Sequence, residues 1–367
     1  MFYVQHLLGV GHLARAALIC DGLAENGCDV LMVTGGRPVT HLFPRTAKVM
    51  QLPSLHVASA SFESLLDSNG QPATQRYLSS RRDQLLAAFT AFQPDVLIIE
   101  AFPFGRRMMR FELMPLLQLA QATAPHPKII CSVRDILQQN RKAKRLTETV
   151  DVLNTYFDQV LVHGDPEFAR LDETFPLTDQ ISHMTTYTGL VVGRPDTQIE
   201  QAFDIVVSPG SGKTAHQIIK TAVAVAKMEQ FSSLRWCLIV DRTKFPLDTE
   251  WPKNITTIDH HDNFTGLLAS ARLSISQAGY NTMGDILVSG CLAIVIPFAE
   301  QGETEQPMRA QKLEQLQRVV SLPVKNLNRH ELSVQIARLL ETGQTWQAEK
   351  LPDLAGVGVT VSNICRP

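Results

Sequence analysis

The sequence predicts two doubly wound α/β domains that face one another, each a parallel sheet covered by helices. Three observations predict it. Short runs of uninterrupted apolar residues recur along the 367 residues, as strands buried on both faces require. Amphipathic stretches of helical length lie between them, which makes successive strand–helix–strand units. A weakly periodic run from Gly189 to Gln201, holding Gly189, Gly193 and Pro195, divides the pattern into two similar halves, expected as domains 1–190 and 191–367.

In the first half strands are expected at Phe2–Leu7, Val30–Val33, Lys48–Leu52, Val96–Ile99, Lys128–Ser132 and Gln159–Val162, with helices over Leu13–Asn26 and Ser79–Phe92. In the second half the strands are Ile205–Ser208, Trp236–Val240, Ile255–Ile258, Leu273–Ser276, Ala293–Ile296 and Val319–Leu322. Helices are expected there over Ala215–Met228, Thr282–Val288, Gln306–Gln315 and Glu331–Glu341.

Composition narrows the function classes. Apolar residues make up 44% and charged residues 19%, enough to bury two cores and against disorder. A net charge of −2 provides no field for nucleic acid. The longest uncharged apolar run, Ile286 to Ala299, is too short to span a bilayer and contains a proline. The apolar N-terminus lacks a Lys/Arg-rich start, so it does not read as a signal peptide. The six cysteines form no C-x-x-C pair and mostly sit in apolar runs, which fits a reducing cytoplasm and no zinc site.

In doubly wound sheets ligands bind outside the carboxyl ends of the strands, and most glycine and polar oddities of the chain fall there. "LLGVGHLAR", Leu7 to Arg15, follows the first strand. Gly9 and Gly11 allow a close turn, and His12 opens a helix whose N-terminus keeps it unprotonated, as a general base needs. The plainer reading is a capping or core histidine.

"VSPGSGKTAHQ", Val207 to Gln217, places a glycine-rich turn before a helix, which suits a phosphate. It is not a P-loop, because Val207 stands where the first glycine is required. Tight-turn glycines without a ligand are the alternative. In "QAGYNTMGDIL", Gly279 permits close backbone approach to a ligand, while Asn281 and Thr282 can cap the next helix. Asp285, a turn further, can accept hydrogen bonds from a vicinal diol such as a ribose. An ordinary capped helix with an early acid explains the same residues. "PFAEQGETEQPMRAQ", Pro297 to Gln311, clusters Glu300, Glu303, Glu305 and Gln306 at a helix start. They can bind sugar hydroxyls or simply complement the helix dipole.

Gly9-x-Gly11-His12-x-x-Arg15, the loop Gly210-Ser211-Gly212, the block Gly279–Asp285 and the Gln306 helix occur in this order. In this the chain resembles the GT-B glycosyltransferases of family 28, the family of the peptidoglycan UDP-N-acetylglucosamine transferase. It is closer to bacterial predicted glycosyltransferases with a Gly-Tyr-Asn-Thr motif and a Glu-Gln-x-x-Arg-Ala helix, here Glu305 to Ala310. The resemblance covers both halves and is most specific at Gly9–Arg15 and Asn254–Gln315.

The resemblance implies a C-terminal domain that binds a nucleotide-sugar, a UDP-sugar first. Gly210, Ser211 and Gly212 would face the diphosphate, His261 the base, and Asp285 the ribose, with Gly11 also counted to the donor site. Gly279, Tyr280, Asn281, Thr282, Glu305 and Gln306 complete the donor site. The N-terminal domain would take a small-molecule or lipid-linked acceptor, with His12 as first-choice base and Glu100 or Asp135 as second. The chain contains no Asp-x-Asp pair, so metal-independent, inverting transfer without a cofactor is expected. A nucleotide-sugar hydrolase and a non-catalytic nucleotide-sugar-binding protein carry the same motifs. "GRRMMRFELM" (Gly105 to Met114) and "RKAKR" (Arg141 to Arg145) are solvated helix faces or a peripheral contact with a membrane from the cytoplasmic side.

Overall fold

The computed structural model of the chain describes residues 1–7, 9–57, 64–139, 142–194, 203–210, 212–240, 245, 251–342 and 351–365. The chain divides into two compact units, Met1–Val191 with Pro352–Pro367, and Val192–Leu351. The expected second domain ran to residue 367; the last stretch instead belongs to the first unit. Among the described residues no helix is long and apolar enough to cross a membrane.

The first unit holds strands β1 (Phe2–Val4), β2 (Leu31–Thr34), β3 (Lys48–Gln51), β4 (Val96–Glu100), β5 (Lys128–Arg134), β6 (Gln159–His163) and β7 (Thr185–Tyr187). They form one parallel sheet in the order β3-β2-β1-β4-β5-β6-β7. Its helices are α1 (Gly11–Glu25), α2 (Gln75–Phe92), α3 (Arg110–Ala122) and α4 (Ala143–Tyr156). Successive strand residues supply opposite faces. Tyr3, Leu97, Ile99, Ile129, Cys131, Val160 and Val162 join one core with Leu85 and Phe89 of α2 and Leu113, Leu116 and Leu117 of α3. Phe2, Val4, Ile98, Ile130 and Leu161 join the other with Leu13, Ala16 and Ile19 of α1. Each such side chain contributes roughly 1.5–3 kcal/mol by leaving water. Burial on both faces is why these strands read as unbroken apolar runs.

The second unit repeats the plan with β8 (Ile205–Ser208), β9 (Trp236–Ile239), β10 (Ile255–Ile258), β11 (Leu273–Ser276), β12 (Leu292–Val295) and β13 (Val320–Ser321). The parallel order is β10-β9-β8-β11-β12-β13. Its helices are α5 (Gly212–Ala226), α6 (Phe264–Ser270), α7 (Tyr280–Ser289), α8 (Glu305–Gln315) and α9 (Arg329–Thr342). The last helix, α10 (Gly356–Cys365), packs on α1 of the first unit, with Val361 in its core.

Three expectations are corrected. The first strand ends at Val4 rather than Leu7. β7 was not expected: its three residues are half buried and carry no apolar run. Asn281 and Thr282 do not cap α7; the cap position is Gly279, without a side-chain hydrogen bond, and both residues lie inside the first turn.

The return of the C-terminus is tied down at Gly356. Its N–H donates to the Leu190 carbonyl at 3.1 Å, and a Cβ there would come within 2.4 Å of the Leu190 backbone. Because backbone cannot rotate away, Gly356→Ala is expected to cost about 1–3 kcal/mol, read as a lower urea midpoint with the slope unchanged.

Candidate active site

In both sheets the strand order reverses once, between β1 and β4 and between β8 and β11. Loops leaving the carboxyl ends of those strands diverge and leave a crevice. His12 and Glu100 lie at the first reversal and Gly210 and Gly279 at the second, whereas Asp135 follows β5, Gln306 follows β12 and His261 follows the edge strand β10.

In the first unit, α1 starts at Gly11 just after β1, and Glu100 is the last residue of neighbouring β4. Glu100 is fully buried. Its Oε1 lies 2.8 Å from His12 Nδ1 and also accepts from Arg15 Nη2. Its Oε2 accepts from the Ser132 hydroxyl at 2.5 Å. Burial alone would raise its pKa; Arg15, His12 and Ser132 together hold it below the ordinary carboxylate range. Arg15 Nη2 stands 3.3 Å from His12 Nδ1. With a proton on Nδ1 both groups are donors, so they share the carboxylate rather than bond to each other. The lone pair of His12 is therefore on Nε2.

His12 is the member of this cluster that reaches the surface: its side chain is 13% exposed against 0% for Glu100 and 2% for Arg15. Burial, then Arg106, then Arg134 push its pKa well below 6.5, although Glu100 pulls the other way. The imidazole is neutral at pH 7. The lowering expected from the helix start is here caused by desolvation and two nearby guanidinium groups. Arg106 belongs to the loop after β4, where Ala101 (φ 63°) and Arg106 (φ 58°) take the left-handed conformation. That path lets its Nε–H donate to the Gln5 carbonyl at 2.6 Å.

Glu100 and Asp135, the alternative bases, offer no exposed oxygen. Asp135 is fully buried, with Oδ1 accepting from the Ile136 N–H at 2.7 Å, and Gly164 is packed directly against its Cβ. Arg15, Ser132 and His163 received no role from the sequence. Arg15 was findable, since three residues past His12 it shares a helix face. Ser132 pairs in register with Glu100 across strands, which no linear motif reveals.

In the second unit the loops after β8, β11 and β12 emerge from one edge, because these strands are adjacent and parallel. Gly210 has φ +72°, the left-handed region that favours glycine, and a Cβ there would press on the Gln277 side-chain amide at about 3 Å. Gln277 Nε2 donates to the Pro209 carbonyl at 2.8 Å, which joins the turns after β8 and β11. Gly212 opens α5, and Ser211 lies outside the described residues. Gly279 differs from Gly210: its backbone is extended (φ −68°) and its Cβ position is open. Among the described residues nothing stands within 4 Å of a Cβ placed there.

Tyr280 is buried, and Asn281 and Thr282 are half buried in the first turn of α7. Asp285 accepts from the Thr265 hydroxyl of α6 at 2.8 Å, and burial raises its pKa to about 6. His261 Nδ1 accepts from the Asn263 N–H at 3.2 Å, and Asn263 caps α6. On α8, Glu305 is buried and paired with Arg309 at 3.1 Å. Arg309 also donates to the Ala278 carbonyl at 3.4 Å and sits 5.6 Å over the Tyr280 ring. This pair clamps α8 to the Ala278–Tyr280 turn. Gln306 Oε1 accepts from the Phe298 N–H at 3.0 Å, which leaves its amide nitrogen to donate elsewhere. The N–H groups at the start of α8 meet Glu303, whose Oε1 accepts from Glu305 N at 2.7 Å.

Residues 237–356 match the glycosyltransferase family 28 C-terminal domain. No curated protein sequence matches the chain. Among solved structures, the spinosyn forosaminyltransferase SpnP is similar with a TM-score of 0.61 and 12% identity, over 100% of this chain and 93% of that one. The MurG protein of Acinetobacter baumannii gives 0.58 and 14%, over 100% of both chains. The glycosyltransferase VinC, solved in complex with DTDP, gives 0.58 and 12%, over 98% and 93%. The chain has the GT-B fold with a family 28-like C-terminal half, and fold and family match together support a glycosyltransferase.

Removing the Glu100 charge would leave Arg15 buried without it. Glu100→Gln is expected to cost about 3–5 kcal/mol at pH 7. The native carboxyl titrates below its ordinary 4.5, so its stabilising contribution is full above that pH and is lost as pH falls beneath it. Urea unfolding at pH 7 and pH 4 should show the gap between wild type and variant narrowing at the lower pH.

Proposed function

We propose that this GT-B protein transfers a sugar from a nucleotide-sugar donor to an acceptor hydroxyl, without a metal and with inversion. The observation that carries the reading is the shared edge of the second sheet, where Gly210, the Gly279 turn and the starts of α5, α7 and α8 converge. The family 28 match covers the Gly279 turn and the starts of α7 and α8. The donor belongs to the second unit, and the acceptor with its base belongs to the first.

Negative charge develops on the leaving nucleoside diphosphate. Backbone N–H groups at the starts of α5 and α7 are fixed in place and gain strength as that charge grows. Gly279 has open space where any other residue would carry a side chain, which suits close approach by a phosphate or sugar. Asp285 accepts from a ribose diol when ionised, and Gln306 donates its amide to the sugar. Gly212 and Ser211 extend the phosphate loop, while Tyr280, Asn281 and Thr282 line the turn. His261 marks the nucleobase end. Glu305 acts one step back, through its clamp with Arg309.

His12 Nε2 takes the proton of the acceptor hydroxyl. Glu100 holds the imidazole in the required tautomer and stabilises the cation that forms, the role a buried carboxylate plays toward a catalytic histidine. A UDP-sugar is the first donor to try, and thymidine diphosphate sugars stand beside it because VinC was solved with DTDP.

A thermal-shift screen with UDP, TDP, GDP and CDP and their sugars is expected to return one base that raises the melting temperature. His12→Ala should then keep that shift while turnover falls about 10²–10⁴-fold. Unchanged turnover removes His12 from the mechanism, and stoichiometric free sugar without an acceptor replaces transfer by hydrolysis.

Two neighbours on α8 separate site from scaffold. Gln306→Ala should weaken nucleotide-sugar binding with little change in melting temperature. Glu305→Gln should lower the melting temperature, since it leaves Arg309 buried without its counter-charge.

A further inference from the structure

Behind Glu100 a chain of polar side chains crosses the first sheet strand by strand. Ser132 of β5 bonds Glu100 at the end of β4. Its hydroxyl also lies 2.9 Å from Nε2 of His163, the last residue of β6. His163 Nδ1 lies 2.9 Å from the hydroxyl of Thr188, just past β7. Ser132, His163 and Thr188 are all at most 1% exposed. Four polar residues on four successive strands, sealed from water, are costly unless every bond is made.

The proton positions follow from counting. Ser132 has one hydroxyl proton and two neighbours that want it. Glu100 is ionised and can only accept, and at 2.5 Å it takes that proton. Ser132 must then accept from His163, so His163 carries its hydrogen on Nε2. Burial and then Arg15 lower the His163 pKa to about 3, so the ring is neutral and Nδ1 has no hydrogen. Thr188 then stands as the donor to Nδ1, although its hydroxyl also faces the Gly189 carbonyl at 3.0 Å and the Val162 carbonyl at 3.5 Å. Every proton in the row points toward Glu100, and so does the Nδ1–H of His12 from the other side.

We propose that His163, seated between Thr188 and Ser132, is a positioning residue that fixes the Glu100 carboxylate and through it keeps the His12 lone pair on Nε2. This rests on the reading of His12 as the base, but the tautomer it specifies can be measured without any reaction. The charged groups facing His12 are Glu100, Arg15, Arg106 and Arg134, and those acting on His163 are Arg15 and Glu100. None of them is altered by the variants below. Without the Ser132 donor, Glu100 presents more negative charge to His12 and favours its protonated form.

The test is nitrogen NMR of full-length protein labelled with ¹⁵N-histidine, with His12 assigned from the loss of its signals in His12→Ala. In wild type His12 should show a hydrogen on Nδ1 and take up its second proton only below the ordinary histidine range. In Ser132→Ala its protonation should move up by about one pH unit or more, the size of one hydrogen bond to a charged group, and in His163→Leu it should move the same way by less, because Ser132 still donates to Glu100. His163→Gln retains an N–H for Ser132 and should restore the wild-type titration, which also controls for a leucine variant that fails to fold. Unchanged His12 titration in Ser132→Ala, or a glutamine variant that shifts like Ser132→Ala, overturns the proposal. Where a nucleotide-sugar is turned over, Ser132→Ala should lower kcat and leave KM unchanged. If no nucleotide-sugar is turned over but the titration moves as expected, the relay stands and the catalytic reading of His12 fails.

Discussion

A carboxylate buried without water needs a donor for each oxygen and a cation close by. Glu100 meets that demand with Arg15, His12 and Ser132, and the first unit is organised around it. Three elements must converge to supply these groups: the start of α1, the end of β4 and the strand β5. They converge because β1 and β4 are neighbours where the strand order reverses. The polar cluster and the topology therefore specify each other. A sheet with another order would leave Glu100 charged and alone, at a cost that a marginally stable domain does not absorb.

A second buried ion pair does a different job. Arg81 on α2 grips Glu112 on α3 with Nε at 2.7 Å and Nη2 at 2.9 Å. It also donates to Gln5 and to the Gly35 carbonyl, and Tyr3 donates to Glu112 at 2.5 Å. All of these side chains are sealed in the core. The cluster fixes two helices against the ends of two strands and presents nothing to solvent. The Glu100 cluster has one member at the surface, His12. That difference separates a scaffold from a site, although both consist of a buried Arg–Glu pair. On α8, the Glu305–Arg309 pair is of the scaffold kind: it holds the Ala278–Tyr280 turn, while Gln306 beside it is half buried with its Oε1 on the Phe298 N–H.

Several residues chosen from the chain kept their place and changed their part. Glu100 was an alternative base and is instead a fully buried carboxylate bonded to His12, Arg15 and Ser132. Asp285 was placed on a helix face open to a diol, and one of its oxygens already accepts from Thr265. Glu305 was grouped with Gln306, and the helix turns one inward and the other aside. Such reassignments share a cause. Residue type and position along a strand end are local properties, whereas the partner that saturates a polar group comes from another element.

By itself the amino-acid order determined the parallel α/β plan, since runs buried on both faces can be apolar throughout, and it placed nearly every strand of both sheets. It also located the glycine-rich turns at strand ends and the histidine beside the first of them. It did not yield β7, whose three residues bury too little to leave a pattern, or the extent of α3, read only as a helix face over Gly105 to Met114 and carrying Pro115 within it. Nor did it yield α10, which contains two glycines and is held by packing on α1. The tertiary structure alone decided which partner each buried polar group has. The row from His12 to Thr188 joins residues as much as 88 positions apart, and only the lateral register of parallel strands brings them within hydrogen-bonding distance.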